Sequence, residues 1–354
     1  QSAGFRKKYC KREMIMEYQN ILLIKMSALG DVMHALPCAA ALRELYPKAK
    51  ITWIVHPQFS TFIPESPIVD EVIYFDKKAF SKMSLRDKLR EIFHMRNMLR
   101  SKKFDLVLDL QGLFKSAVIA WLTGCPNRYG YNDMREGSWV VSKPVHGNND
   151  HGHIVQQYLD VIRFLGSKVK EPDFPMPALN EEKKKMQELL LSAFGDKDNE
   201  KFVAIVPGAG WITKEWPVEY FIDLSERLIE KGKYIVLIGS TAEIDKGEKI
   251  SAALPKERVL NLINKTNLKE LAALMGNVGL CIGGDTGPVH IAAAMGTRII
   301  ALFGASSGHR AGPYGKRVTI ISTDEKCAPC FKRKCPLHKN CMERIQVAQI
   351  MQYV

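Results

Sequence analysis

Residues 278–303 read Val278-Gly-Leu-Cys-Ile282-Gly-Gly-Asp285-Thr-Gly-Pro288-Val-His290-Ile-Ala-Ala-Ala-Met295-Gly-Thr-Arg298-Ile-Ile-Ala-Leu-Phe303. The apolar run Val278–Ile282 predicts a buried strand. A glycine turn follows, and Pro288 suits the first position of a helix that Gly296 ends. Arg298–Phe303 begins another strand. A strand, a glycine turn and a helix N-terminus in succession form an anion site, because free amides point outward and the helix dipole favours negative charge. Asp285, Thr286 and His290 stand where side chains grip a phosphate, a ribose or a sugar. The same turn also occurs in parallel α/β proteins that bind nothing there, so the flanking sequence decides.

Working outward, the alternation continues in both directions. Phe202–Val206, Tyr234–Ile238 and Val259–Ile263 predict strands, with helices at Pro217–Lys231, Glu243–Leu254 and Leu268–Met275 between and after them. Nearer the start, Ile21–Met26, Ile51–Val55, Asp70–Phe75 and Phe104–Leu110 predict strands. Helices are expected at Val32–Leu45, with Pro37 as a kink, and at Ser84–Lys103, where Leu85, Leu89, Ile92, Met95 and Leu99 recur at helical spacing. Lys170–Asn180, with three prolines, reads as a linker before a charged helix at Glu181–Phe194. The expected architecture is α/β, with two doubly wound domains facing each other across a cleft where ligands meet the carboxyl ends of the strands. The divisions expected are an extension over 1–20, a first domain over 21–170, the linker over 171–180, a second domain over 181–341, and a final helix over 342–354 that packs back on the fold.

At 354 residues the chain has room for two cores. No apolar run reaches the ~18 residues needed to span a bilayer, and the charged start lacks a secretory signal core. These features place the protein in the cytoplasm. The formal net charge of +13 admits nucleic acid, an anionic membrane surface or a phosphorylated substrate as partner. No helix-turn-helix, aromatic RNA-binding or zinc-finger pattern supports nucleic acid. Many of the basic residues lie between Lys77 and Lys103, either as a solvated helix face or as an anion-facing surface.

Three further segments carry chemistry. Asp31 follows the first strand at the start of a helix, in Ser27-Ala-Leu-Gly30-Asp31. It is either a first-turn carboxylate or a general base facing the cleft. In Pro207-Gly-Ala-Gly-Trp-Ile-Thr-Lys214-Glu-Trp-Pro217, Gly208 and Gly210 let amides approach an anion, and Lys214 can neutralise a phosphate. Glu243 is either a ribose acceptor or a helix-start acid.

Taken in order, Ser27-Ala-Leu-Gly-Asp31-Val, His34-Ala-Leu-Pro37, Gln111-Gly-Leu-Phe-Lys115-Ser, Lys214-Glu-Trp-Pro217, Gly284-Asp-Thr-Gly-Pro-Val-His290, Phe303-Gly-Ala-Ser and Gly312-Pro-Tyr-Gly315 resemble glycosyltransferase family 9. This is the family of ADP-heptose:lipopolysaccharide heptosyltransferases. The first and third motifs look more like heptosyltransferase I than II. The resemblance implies a GT-B fold whose second domain holds a nucleotide sugar and whose first holds the acceptor. It implies Asp31 as general base and Lys214 on the departing diphosphate. Gly208, Gly210, Glu243, Asp285, Thr286, Gly287 and His290 fall on the donor side, and Ser27, Gly30, Gln111 and Lys115 on the acceptor side. ADP-heptose is the implied donor and a Kdo-bearing lipid A the implied acceptor, met by a peripheral enzyme at the inner face of the inner membrane with no cofactor. The alternative within the family is another nucleotide sugar or a later core acceptor. A nicotinamide-dependent dehydrogenase is disfavoured, because no G-x-G-x-x-G follows the first strand.

The eight cysteines suit a reducing compartment. Four cluster as Cys327-x2-Cys330-x4-Cys335-x5-Cys341 among lysines and an arginine. The spacing suits zinc or an iron–sulfur centre, but no metal is expected in the chemistry.

Overall fold

The computed structural model describes residues 17–354. Among them stand two six-stranded, wholly parallel sheets. The first is built from β1 (Asn20–Ile24), β2 (Lys50–Val55), β3 (Glu71–Tyr74), β4 (Leu106–Asp109), β5 (Arg128–Tyr131) and β6 (Lys143–Val145), in the order β3-β2-β1-β4-β5-β6. The second is built from β7 (Phe202–Val206), β8 (Tyr234–Leu237), β9 (Val259–Asn261), β10 (Leu280–Gly284), β11 (Arg298–Phe303) and β12 (Val318–Ser322). Its order, β12-β11-β10-β7-β8-β9, is the same winding repeated. Central strands are mostly apolar because helices cover both faces. Ile21 pairs with Ile51 on one side and Leu106 on the other, and Ile282 lies between Ile205 and Ile300.

The first sheet carries α1 (Leu29–Leu45), α2 (Lys77–Lys82), α3 (Leu85–Ser101), α4 (Phe114–Leu122) and α5 (Ile154–Phe164). Helix α1 keeps Pro37 inside it, buried with its neighbours. A coil then leads to α6 (Asn180–Phe194), which packs against α9 (Leu268–Met275) of the second lobe. The second lobe adds α7 (Val218–Glu230), α8 (Ile244–Ala253), α10 (Gly287–Ala294), the short α11 (Gly308–Ala311) and the terminal α12 (Val347–Met351). Helix α12 lies on α7, with Met342, Ile345, Val347 and Ile350 buried in the core that α7 shares. No described helix is long and apolar enough to cross a membrane.

Two expectations change. Of the extension expected over 1–20, residues 1–16 and Cys10 among them lie outside the described residues, while 17–20 already belong to the first lobe. Tyr18 is buried edge-on against Tyr46, and the amides of Gln19 and Asn20 donate to the Asp105 carboxylate. On α3, Ile92, Met95 and Leu99 face the core, but Leu85 and Leu89 point into solvent. The apolar positions of that helix are spread over a wider arc than one core-facing stripe.

Candidate active site

The carboxyl ends of both sheets open on the cleft between the lobes. On the first lobe, β1 leads through Ser27-Ala-Leu-Gly30 into α1, whose first turn holds Asp31. Gln111, in the turn after β4, braces this turn: its side-chain oxygen accepts from the amides of Met26 (3.0 Å) and Ser27 (3.1 Å). Asp31 Oδ2 accepts from the Ala28 amide at 3.0 Å, so the helix-start role is filled by one oxygen. The carboxylate is only partly buried, and Oδ1 makes no hydrogen bond among the described residues.

Beside Ser27 lies a pocket of about 240 Å³ lined by Met26, Ser27, His56, Phe75, Lys77 and Lys115, among others. Burial lowers the pKa of the Lys115 ammonium, and the Lys77 charge adds to that; Glu136 and Asp31 oppose it. The pocket is therefore cationic on one wall and aromatic on another, a shape for an acidic sugar or a phosphate.

On the second lobe, Asp285 directly follows β10. Its Oδ2 accepts from Lys214 Nζ and from Ser306 Oγ, each at 2.6 Å, and its Oδ1 faces His290 Nε2 at 3.4 Å. Burial by itself would push the Asp285 carboxyl up, but His290 and Lys214 outweigh it and hold it well below the usual carboxylate range. Lys214 also lies over the Trp211 ring, 4.1 Å from its centroid. Asp285 and Trp211 thus fix a cation at the mouth of the glycine turn, and an ammonium has a third donor to offer a ligand. Thr286 precedes α10 with no hydrogen bond from its hydroxyl to that helix.

Gly208 is needed for close packing, since a β-carbon there would stand 2.3 Å from Glu243 Cγ. Gly210 faces open space. Glu243 Oε2 accepts from the Ser240 amide and hydroxyl, both at 2.7 Å, so it closes a capping box at the edge of the same site.

The two lobes meet through the N-termini of α1 and α10. A β-carbon on Gly30 would lie 2.7 Å from His290 Cδ2, and one on Gly287 would lie 2.7 Å from Leu29 Cδ2. The glycines expected as ligand contacts therefore also permit the approach of the lobes. His34 and His153 of the first lobe both direct Nε2 at the Gly312 carbonyl of the second, each at 3.0 Å. The His34 ring also sits edge-on to His290, with centroids 4.7 Å apart. Asp133 pairs with Arg310 across the same gap.

With this geometry in place, the sequence profile of Glycosyltransferase family 9 (heptosyltransferase) matches residues 92–340. The chain belongs to glycosyltransferase family 9. It is 28% identical over 327 residues to Lipopolysaccharide heptosyltransferase 1 of Pseudomonas aeruginosa, covering 89% of this chain and 87% of that relative. The glycosyl transferase family 9 structure from Veillonella parvula superposes with a TM-score of 0.78 at 21% identity, covering 96% of this chain and 97% of that one. The E. coli heptosyltransferase WaaC, solved with ADP and with ADP-2-deoxy-2-fluoro heptose, gives TM-scores of 0.73 and 0.71 at 22% identity, covering 95% and 98%. The fold of this family 9 glycosyltransferase is GT-B, with two Rossmann-like lobes.

Several residues around the candidate site have no sequence signal of their own. Ser306 sits in the quoted Phe303-Gly-Ala-Ser motif, but its bond to Asp285 needs β11 to lie beside β10. His153 stands at the start of α5, a helix not expected from periodicity. Lys25, one residue past β1, is fully buried and donates to the Leu110 carbonyl (3.1 Å) and the Tyr158 hydroxyl (2.7 Å). Burial lowers its pKa, and the charges of Asp31 and Asp109 oppose that.

The cysteine loop of the enzyme packs beside the Lys214 loop. The Lys332 carbonyl accepts from Thr213 Oγ1 at 2.8 Å, and the Phe331 amide donates to Ala305. Burial raises the Cys341 thiol pKa, and the nearby thiols of Cys330, Cys327 and Cys335 raise it further. Among the described residues no group of three or more histidine, cysteine or acidic side chains is arranged around a metal position.

Proposed function

We propose that this glycosyltransferase transfers heptose, with inversion, from ADP-heptose to the Kdo-bearing inner core of a lipid A-type acceptor, working as a peripheral enzyme on the cytoplasmic face of a membrane. The observation that carries the reading is the meeting of the α1 and α10 N-termini. It brings the Asp31 turn and the His290–Asp285–Lys214 chain to one cleft.

In this reading the acceptor hydroxyl approaches Asp31 Oδ1, the oxygen left free by the cap. Asp31 takes its proton as the oxygen attacks the anomeric carbon. The bond to the ADP oxygen breaks on the opposite face. Lys214 neutralises the diphosphate that leaves, and the amides of the turn before α10 add to it. Asp285 holds Lys214 in place and stays ionised at any working pH, so the cation is preorganised before the donor arrives. Thr286, Gly287 and His290 complete the donor side, and Gly208, Gly210 and Glu243 border the nucleoside. Lys115 and Lys77 receive the acid group of the acceptor sugar, while Gln111, Ser27 and Gly30 keep the base in its turn. The ADP-bound and ADP-heptose-analogue-bound forms of the similar E. coli enzyme support the choice of donor.

The test is calorimetric titration of the purified protein with ADP-heptose beside UDP- and GDP-sugars, followed by mass spectrometry of a soluble Kdo-bearing acceptor. The reading expects binding of the ADP-sugar alone and an acceptor heavier by one heptose. Selective binding of a UDP- or GDP-sugar would replace the donor.

A further inference from the structure

We infer that the face of the first lobe formed by α3, α4 and the turn at 138–140 docks on an anionic phospholipid bilayer. Its apolar side chains enter the headgroup boundary and its arginines meet lipid phosphates.

Helix α3 is apolar on two sides. Through Ile92, Met95 and Leu99 it packs on the first sheet, in the core that also takes Ile119 and Leu122 of α4. On its outer side Leu85, Leu89 and Phe93, four residues apart, span about 80° of arc. They are 75%, 52% and 62% exposed. In the same layer Trp121 on α4 is 59% exposed and Val140 is 80% exposed, with Trp139 beside it. Single exposed apolar residues are ordinary, but a layer that leaves this many large ones in water marks a contact surface.

The charges choose the occupant. Around α3, Arg86, Arg90, Arg96 and Arg100 fall on or beside the outer stripe, while Asp87 and Glu91 fall on the far side. Residues 77–103 hold ten lysines and arginines against two acids, so this segment supplies +8 of the net +13. A second copy of the chain would set like charge against like. An anionic bilayer is complementary to both the cations and the apolar stripe, and tryptophans favour its interface. The surface is also continuous with the lysine-lined pocket, since α2 opens with Lys77 and Lys78 and α4 with Phe114 and Lys115. That continuity lets an acceptor anchored in the bilayer reach the pocket, a consequence that rests on the proposed function. The docking itself does not.

The experiment is flotation of the full chain with vesicles of phosphatidylglycerol and phosphatidylethanolamine, against vesicles of phosphatidylcholine alone. The protein is expected to float with the anionic vesicles and to be released by high salt, because exposed charges are screened. The triple variant Leu85→Ser/Leu89→Ser/Phe93→Ser should bind them roughly tenfold or more weakly, with an unchanged melting temperature and unchanged ADP binding. It should transfer to a deacylated, soluble acceptor as the parent does and lose transfer to acceptor held in vesicles. Absence of the parent from the floated fraction, or equal flotation of parent and variant, would overturn the inference. So would a change in the variant from dimer to monomer by light scattering with flotation intact. If neither protein transfers heptose to the soluble acceptor, the proposed reaction fails, and the flotation result still decides the docking surface.

Discussion

The imidazole of His290 occupies the space beside Gly30 so closely that a β-carbon would lie 2.7 Å from its Cδ2. Asp31 follows Gly30 directly, and Nε2 on the same edge of the ring faces Asp285 Oδ1. The lobes therefore meet at the two residues next to the proposed base and the proposed donor anchor.

Gly30→Ala should push the lobes apart at this point. A displacement near 1 Å between reacting groups lowers turnover by about a hundredfold, and that is the loss expected in kcat. ADP binding, which belongs to the second lobe, should change little. Steady-state kinetics beside ADP calorimetry checks the split.

Lys214→Ala removes the cation and leaves Asp285 with Ser306 and His290 as partners. Loss of one member of this mostly buried pair should cost about 2 kcal/mol of stability. Donor affinity should fall at least about tenfold, because the diphosphate loses its charge partner. Denaturant unfolding and ADP titration measure the two effects separately.

The joint at Gly312 gives a pH dependence. Burial lowers the His153 pKa from its ordinary 6.5 to about 4, the Gly312 carbonyl opposes this, and the His290 charge adds to it. His34 is lowered well below its ordinary value, by burial first and then by the charges of His290 and His153. His153 Nδ1 accepts from the Val155 amide, so the ring is neutral with its proton on Nε2. An imidazole whose folded pKa lies below its unfolded one contributes stability that is fully present above pH 6.5 and lost as pH falls toward 4. The melting temperature should therefore drop through that window, and His153→Gln should flatten the drop. A profile that rises as pH falls from 6.5 to 4, or that His153→Gln leaves unchanged, would remove the joint as its cause.

The sequence made the central strands legible because buried parallel strands are mostly apolar, as in Leu22–Ile24 and Cys281–Ile282. Strand β5 and the edge strand β6 were not legible. Arg128-Tyr-Gly-Tyr131 and Lys143-Pro-Val145 are short and mixed, and they become strands through pairing with β4 and with each other. On α3, helical periodicity located the helix but not its buried side, because apolar residues lie on both. In the site, Asp31, Lys214 and Asp285 were legible from their turns. The links among them were not: Ser306 reaches Asp285 through sheet order, and His34, His153 and Gly312 meet only when the lobes face each other. Gln111, expected on the acceptor side, uses its oxygen to brace the β1 turn.

The most direct test of the account is turnover of Asp31→Asn beside its ADP binding. Asparagine can still accept from the Ala28 amide, so the helix start is kept while the base is removed. The account predicts ADP affinity and melting temperature like the parent's, with kcat lower by about 10²–10⁴-fold. Turnover within a few fold of the parent would contradict it.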